Sequence, residues 1–196
     1  VFLVVGLGNP GMKFSATRHN AGFRVLDLVI ERLQLSWKHE DRFSWAKGIS
    51  GGKTAYFVKP LTFMNLSGEG LLAFFAHHEC DFETIIVVHD ELDFPPGVVR
   101  IKRGGGVAGH KGLQSVVEAL GTEDFVRVRV GIGKPKNREE VVDYVLGIPQ
   151  GEECELLKSA EKKAAEAVLC ILENGVERTM SFFNAREERH GQKEAC

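Results

Sequence analysis

Short apolar runs alternate with longer stretches of helical periodicity along most of this chain, and few folds accept that pattern. Residues 1–5 (VFLVV) are an unbroken apolar run, as a strand buried on both faces requires. From Asn20 onward, Phe23, Leu26, Val29 or Ile30, and Leu33 recur at helical spacing with mostly charged residues between them. That spacing predicts an amphipathic helix capped by Asn20. Residues 43–49 and 54–59 read as two strands joined by the Ser50-Gly51-Gly52-Lys53 turn. A helix capped by Ser67 runs to about His78, and residues 84–88 form a buried strand ending at His89-Asp90. After the Pro95-Pro96-Gly97 turn come a strand at 98–103, a helix at 110–120 and a strand at 125–132. Periodic Leu and Ala residues past Gly151 describe a long surface helix, and 177–187 a short last one. Such alternation predicts an α/β fold, a single-domain three-layer αβα sandwich around a twisted, mixed, mostly parallel sheet. The domain is expected over residues 1–190, with 191–196 a flexible tail.

Composition narrows this further. A chain of 196 residues is one domain at roughly 150 residues each, and 43% hydrophobic content excludes disorder and collagen-like repeats. Cys80, Cys154, Cys170 and Cys196 are widely spaced, which argues against a disulfide framework or zinc finger and for a reducing compartment. No apolar run approaches the roughly 18 residues of a membrane span, and the opening run is too short for a signal-peptide core. A cytoplasmic protein without membrane contact is expected. The formal net charge of −2 argues against a broadly basic nucleic-acid binder. It conceals a segregation, however: residues 94–138 carry a net +6 and residues 139–196 a net −6. An anion belongs on the middle of the chain.

Four clusters carry possible chemistry. Gly6-Leu7-Gly8-Asn9-Pro10-Gly11 formally satisfies GxGxxG. A dinucleotide site needs the third glycine inside the opening turn of a helix, whereas here the helix is delayed by about ten residues. Either these glycines turn the chain sharply at a strand's carboxyl end and present the Asn9 amide, or they are a structural turn in which Asn9 tolerates unusual dihedrals. His19, in Thr17-Arg18-His19-Asn20 ahead of the first long helix, suits a general base whose pKa the helix dipole lowers, provided that a carboxylate fixes its tautomer. Asp90 is the candidate carboxylate, first out of an apolar strand, whereas Glu91 and Asp93 read as solvated loop charges. Asp90 holding His19 is a triad without its serine, so that water is the nucleophile. The fourth cluster is basic. Arg100, Lys102, Arg103 and Lys111 bracket a Gly104-Gly105-Gly106 loop, and Arg127, Arg129, Lys134, Lys136 and Arg138 follow. No acid occurs at 94–117 or 125–138, and the alternation at 126–130 puts Arg127 and Arg129 on one sheet face. With a glycine-rich loop beside the helix starting near His110, this reads as a nucleic-acid phosphate footprint. Asn65, between a strand and a helix, is either a cap or an amide aimed at a substrate carbonyl.

The blocks GLGNPG at 6–11, TRHNAGF at 17–23, KPLTFMNLSG at 59–68, HDELDFPPG at 89–97 and GGGVAGHKGL at 104–113 together resemble the bacterial-type peptidyl-tRNA hydrolases over nearly the whole chain. The resemblance implies an enzyme, without metal or cofactor, that cuts the ester between a peptide and the 3'-terminal ribose of tRNA. In it His19 looks like the base that activates water and Asp90 like the carboxylate that orients it, while Asn9 resembles the residue that tells blocked from free aminoacyl ends. Asn65 looks like a substrate-binding amide with Met64 packed beside it. Phe14 and Phe63 match positions that meet the tRNA end or peptide, and His110, Lys111 and Arg100 are counted with the binding residues. Lys102 and Arg129 match the basic residues that take acceptor-arm phosphates. The partner so implied is peptidyl-tRNA, through its acceptor arm and 3' CCA end, bound by a monomer with no obligate protein partner.

The chain departs from the commonest pattern at Lys111, where many members have Asn, and at Phe14, where Tyr is common; Val107 and Ala108 replace glycine-rich loop positions. The competing implication is a non-catalytic RNA-binding relative of the organellar intron-splicing type. Retention of Asn9, His19, Asn65 and Asp90 together argues for the enzyme.

Overall fold

In the computed structural model, which describes the backbone of residues 1–193 and the side chains of residues 1–185, the chain folds as the alternation predicts. Among the described residues seven strands form one sheet: β1 (Phe2–Gly6), β2 (Lys38–His39), β3 (Phe43–Ser50), β4 (Lys53–Pro60), β5 (Thr84–Glu91), β6 (Val99–Arg103) and β7 (Val126–Gly131). Their order is β2-β3-β4-β1-β5-β7-β6. The central four, β4-β1-β5-β7, are parallel, and β2, β3 and β6 pair antiparallel at the edges.

The period-two alternation of β1 divides the core in two. Phe2 and Val4 pack with α1 (Ala21–Arg32) and α5 (Gly151–Asn174). Leu3 and Val5 face the opposite layer, against α2 (Ser67–His77) and α3 (Lys111–Leu120). Covered on both faces, β1 is buried along its whole length, which is why it carries no polar side chain. Two more helices, α4 (Val141–Val145) and α6 (Val176–Lys193), complete the described α-helices. No helix among the described residues is long and apolar enough to cross a membrane.

Differences from the sequence reading lie at element ends. Asn20 stands at the N-cap position of α1 but its side chain makes no capping bond, because its amide is spent on Asn9. Ser67 is the first residue of α2 rather than its cap, and its buried hydroxyl donates back to the Met64 carbonyl. β5 runs three residues past Val88, so His89 and Asp90 lie within the strand. The last helix spans Val176–Lys193, longer than the short helix expected at 177–187. Of the tail expected at 191–196, residues 191–193 belong to that helix and 194–196 lie outside the described residues.

The connections decide where a ligand can enter. β1 exits toward α1 on one face and the adjacent β4 exits toward α2 on the other, so the loops part and leave a crevice at the strands' carboxyl ends. The glycines at the end of β1 and just after it bring α1 close: a Cβ on Gly6 would lie 2.5 Å from the Gly22 carbonyl oxygen, and one on Gly8 would lie 2.6 Å from the Phe23 ring. The first two glycines of GxGxxG here serve helix–strand approach, and the polar stretch to His19 is free to fold over the strand ends.

Candidate active site

A 3-10 turn, Arg18–Asn20, carries His19 just ahead of α1. Its anchors are long-range. The Arg18 backbone N–H donates to the Gly147 carbonyl, and the Arg18 guanidinium forks onto the Glu153 carboxylate at 2.6 and 3.0 Å while lying over the Tyr144 ring. On the other side of His19, Asn20 makes a reciprocal pair with the Asn9 backbone: the Asn9 N–H donates to Oδ1 and Nδ2 donates to the Asn9 carbonyl, each at 2.8 Å.

So held, the His19 imidazole meets Asp90 with Nδ1 2.8 Å from Oδ2. Asp90 is buried in β5, and its second oxygen, Oδ1, lies 2.8 Å from His110 Nε2. His110 is the N-cap of α3 and its Nδ1 accepts the Leu113 N–H at 3.2 Å. That cap fixes the tautomer: with Nδ1 an acceptor, Nε2 carries the proton given to Asp90. Since both Asp90 oxygens accept, His19 donates through Nδ1 and its lone pair remains on Nε2. Burial would by itself push the Asp90 carboxyl up; the two imidazoles, by charge and hydrogen bond, reverse this and hold it below the usual carboxylate range. For His19, burial pulls the pKa down, but the Asp90 charge and hydrogen bond outweigh it and the net shift is upward. The lowering expected from the helix dipole is therefore corrected: a carboxylate in direct contact dominates a helix end. His89, fully buried beside His110, is driven down to about 3 by burial first and by the charge of His110 second. It is a neutral core imidazole, donating Nδ1–H to the Asp90 carbonyl oxygen.

Asn9, 6% exposed, is fixed at both ends: its Oδ1 accepts the Met64 N–H at 2.7 Å across the crevice. An acceptor in that position leaves Nδ2 as the group available to a ligand. Met64 is buried, while Asn65 is exposed. Phe14 and Phe63 meet edge to face with ring centres 6.5 Å apart, and Phe63 is exposed.

The basic cluster lies one and two strands beyond Asp90. Arg100 on β6 opposes Arg129 on β7, and both guanidinium groups lie over the Phe94 ring. Lys102 and Lys111 are exposed, and among the described residues neither they nor Asn65 makes a side-chain hydrogen bond. Arg127 shares the Arg129 face, as the alternation predicts, but is buried: it donates to the carbonyls of Gly106, at 2.6 Å, and Gly105. It braces the glycine loop. Among the described residues His19, Asp90 and His110 are the one group of metal-ligand types together, with donor atoms within 4.8 Å, yet both carboxylate oxygens already accept imidazole protons.

Sequence reasoning paired His19 with Asp90 but gave His110 only a binding role. Its position just before an apolar-periodic helix, where a side chain can cap, was the available signal.

A paired imidazole and carboxylate at the carboxyl ends of parallel strands, beside an arginine-bearing sheet edge, define an α/β protein with an acid–base site of the hydrolase type. Sequence comparison gives the family: the profile described as peptidyl-tRNA hydrolase matches residues 3–192, and the chain belongs to the peptidyl-tRNA hydrolase family. It is 44% identical over 185 residues to the peptidyl-tRNA hydrolase of Syntrophomonas wolfei, covering 93% of this chain and 99% of that one. With that of Rubrobacter xylanophilus it shares 46% identity over 182 residues, 93% of this chain and 99% of that protein. The crystal structure of peptidyl-tRNA hydrolase from Acinetobacter baumannii superposes with a TM-score of 0.87 at 35% identity, covering 94% of this chain and 95% of that chain.

Proposed function

We propose that this protein hydrolyses the ester joining a peptide to the 3'-terminal ribose of tRNA, with His19 as general base. The observation that carries the reading is the buried Asp90 accepting from His19 Nδ1, which leaves Nε2 as the basic nitrogen. Water gives a proton to His19 Nε2 as its oxygen attacks the ester carbonyl; the same proton then passes to the departing ribose oxygen. An ester has a good leaving group, so one base and a few N–H donors suffice for the developing oxyanion.

Asn9 Nδ2 supplies discrimination. A peptidyl end offers an uncharged amide with a carbonyl upstream, which an N–H donor can bond, whereas a free aminoacyl end offers an ammonium, which that donor repels. Phe14 and Phe63 provide ring faces for the terminal bases, and Arg100, Lys102 and Arg129 with Lys111 take acceptor-arm phosphates. The protein acts as a monomer, in the cytoplasm; the free thiols of Cys80, Cys154 and Cys170 suit a reducing compartment. Release of N-acetylaminoacyl groups from charged tRNA by purified protein, and its loss in His19→Ala, tests the reading. Undiminished tRNA binding with no hydrolysis by the wild type would identify a binding protein instead.

A further inference from the structure

One hydrogen bond joins His19 to Asp90 directly, from Nδ1 to Oδ2 at 2.8 Å. A second route joins the same two residues through the backbone that follows β7. The Ile132 N–H donates at 3.0 Å to the carbonyl of Glu91, the neighbour of Asp90 on β5. The Ile132 carbonyl in turn accepts from the Tyr144 hydroxyl at 2.6 Å. Tyr144, on α4, offers its own carbonyl to Arg18 Nη1 at 3.0 Å, and Arg18 immediately precedes His19. Four hydrogen bonds therefore close a circuit in which the base and its carboxylate stand side by side.

Arg18 is the stiff corner of this circuit. Its side chain is 12% exposed, and Nε and Nη2 fork onto Glu153 of α5 while the guanidinium carbon lies 4.3 Å from the centre of the Tyr144 ring. All three guanidinium nitrogens are engaged, so the planar group has one orientation available. Gly147 makes room for it: a Cβ there would lie 2.6 Å from Arg18 Nη1, and the Gly147 carbonyl accepts the Arg18 backbone N–H at 3.0 Å. Burial raises the pKa of the Tyr144 phenol, which stays protonated and able to donate at neutral pH. Without this second route His19 would depend on a three-residue 3-10 turn and a single side-chain hydrogen bond to its carboxylate, a modest net restraint. A base displaced by about an ångström loses much of its catalytic advantage.

We propose that Arg18 and Tyr144 are positioning residues for the reaction, holding the His19 turn in register with Asp90 through Ile132 and Glu91, with Glu153 fixing the guanidinium. The inference rests on the hydrolase reading above and concerns the same site. Both side chains are spent inside the circuit, so they act through His19 and not on the substrate.

Two variants test this without removing a charge. Tyr144→Phe deletes the hydroxyl and keeps the ring under Arg18, and Arg18→Lys keeps the cation but loses the fork. Each is made in the wild type and in Asp90→Asn, with kcat and KM measured on N-acetylaminoacyl-tRNA and the His19 imidazole titrated by NMR in the free proteins. In the wild-type background kcat should fall roughly threefold to tenfold for Tyr144→Phe and about tenfold for Arg18→Lys, with KM changed less than about twofold. In Asp90→Asn the carboxylate that the circuit aligns with His19 is gone, so the same substitutions should cost less than about twofold in kcat. The Asp90 contact is what raises the His19 pKa, and the charged and titratable groups facing His19, Asp90 and His110, are retained in the single variants, so a looser contact should lower that pKa in both. Equal losses of kcat in the two backgrounds with a wild-type His19 pKa would mark a merely structural role and overturn the proposal, as would a loss confined to KM. Wild-type protein that cleaves no ester would instead overturn the hydrolase reading, and the His19 titration would still decide whether the circuit holds the ring.

Discussion

Asp90 accepts from His19 through one carboxylate oxygen and from His110 through the other, each at 2.8 Å. Two donors on one buried carboxylate mean that neither ring can reorient without leaving an acceptor unsatisfied, and the His19 lone pair is thereby aimed through Nε2. Asp90→Asn breaks this. Its amide can accept from one imidazole but presents N–H to the other, so one histidine must change tautomer or turn away. We expect kcat/KM to fall roughly 10²- to 10⁴-fold. The residual activity carries a second signature. With the carboxylate charge gone, burial acts on His19 unopposed and its pKa falls. Because the base works deprotonated, the acid limb of the pH–kcat/KM profile should move to lower pH, and a limb that stays in place would count against Asp90 as its cause.

His110 acts through Asp90 and is a positioning residue, so its removal should give the opposite pH signature. Without the Nε2–H donor, more of the Asp90 negative charge faces His19, which raises the His19 pKa further and moves the acid limb to higher pH. We expect His110→Ala to lower kcat about 10- to 100-fold through poorer orientation of the base, and to cost about 1 kcal/mol of stability because α3 is left uncapped. His110→Asn restores a cap and should recover the stability without recovering the pH profile. A purely structural role would have the two recover together.

Asn9→Asp tests discrimination. An aspartate oxygen can still accept the Met64 N–H, so the loop should keep its shape, but the donor toward the substrate is replaced by an acceptor. Preference for N-acetylaminoacyl-tRNA over free aminoacyl-tRNA should fall at least about tenfold, since the new carboxylate attracts the ammonium that the native amide repels. Competing hydrolysis of the two substrates in one tube measures this ratio directly, and an unaltered preference would assign discrimination elsewhere.

Much of this was legible in the sequence because the relevant signals are local. The five-residue run of β1, the alternation of β7 and the periodicity of α1 and α5 each report burial on a known face, and together they specify the layers. What was not legible depends on partners far along the chain. Asn20 sits where a capping residue belongs, and only the fold shows that its amide is engaged by Asn9, 11 residues back. Arg18 finds Glu153 across 135 residues, and Asp90 finds a second imidazole on another helix. No periodicity encodes such pairings. β2 has two residues and α4 has five, too short for either period to register.

Alternation assigned Arg127 and Arg129 to one face, and the structure gives them different work, which separates two mutants that charge alone would equate. Arg129 is half-buried against Phe94, and its partner across the strands, Arg100, lies over the same ring. Arg127 is 3% exposed, with its N–H groups on the Gly105 and Gly106 carbonyls. Lys102→Ala and Arg129→Ala should each weaken tRNA binding and shallow the log–log salt dependence by about one unit, the change expected when one phosphate is no longer neutralised by a protein cation. Arg127→Ala should leave that slope nearly unchanged and instead destabilise the fold by about 1–3 kcal/mol, because the buried Arg127 side chain is removed along with its two hydrogen bonds to the glycine loop. Binding titrations at a series of salt concentrations, paired with urea denaturation of the same proteins, distinguish the two outcomes. A reduced salt slope for Arg127→Ala with unaltered stability would move that side chain from the bracing of the glycine loop into the RNA footprint.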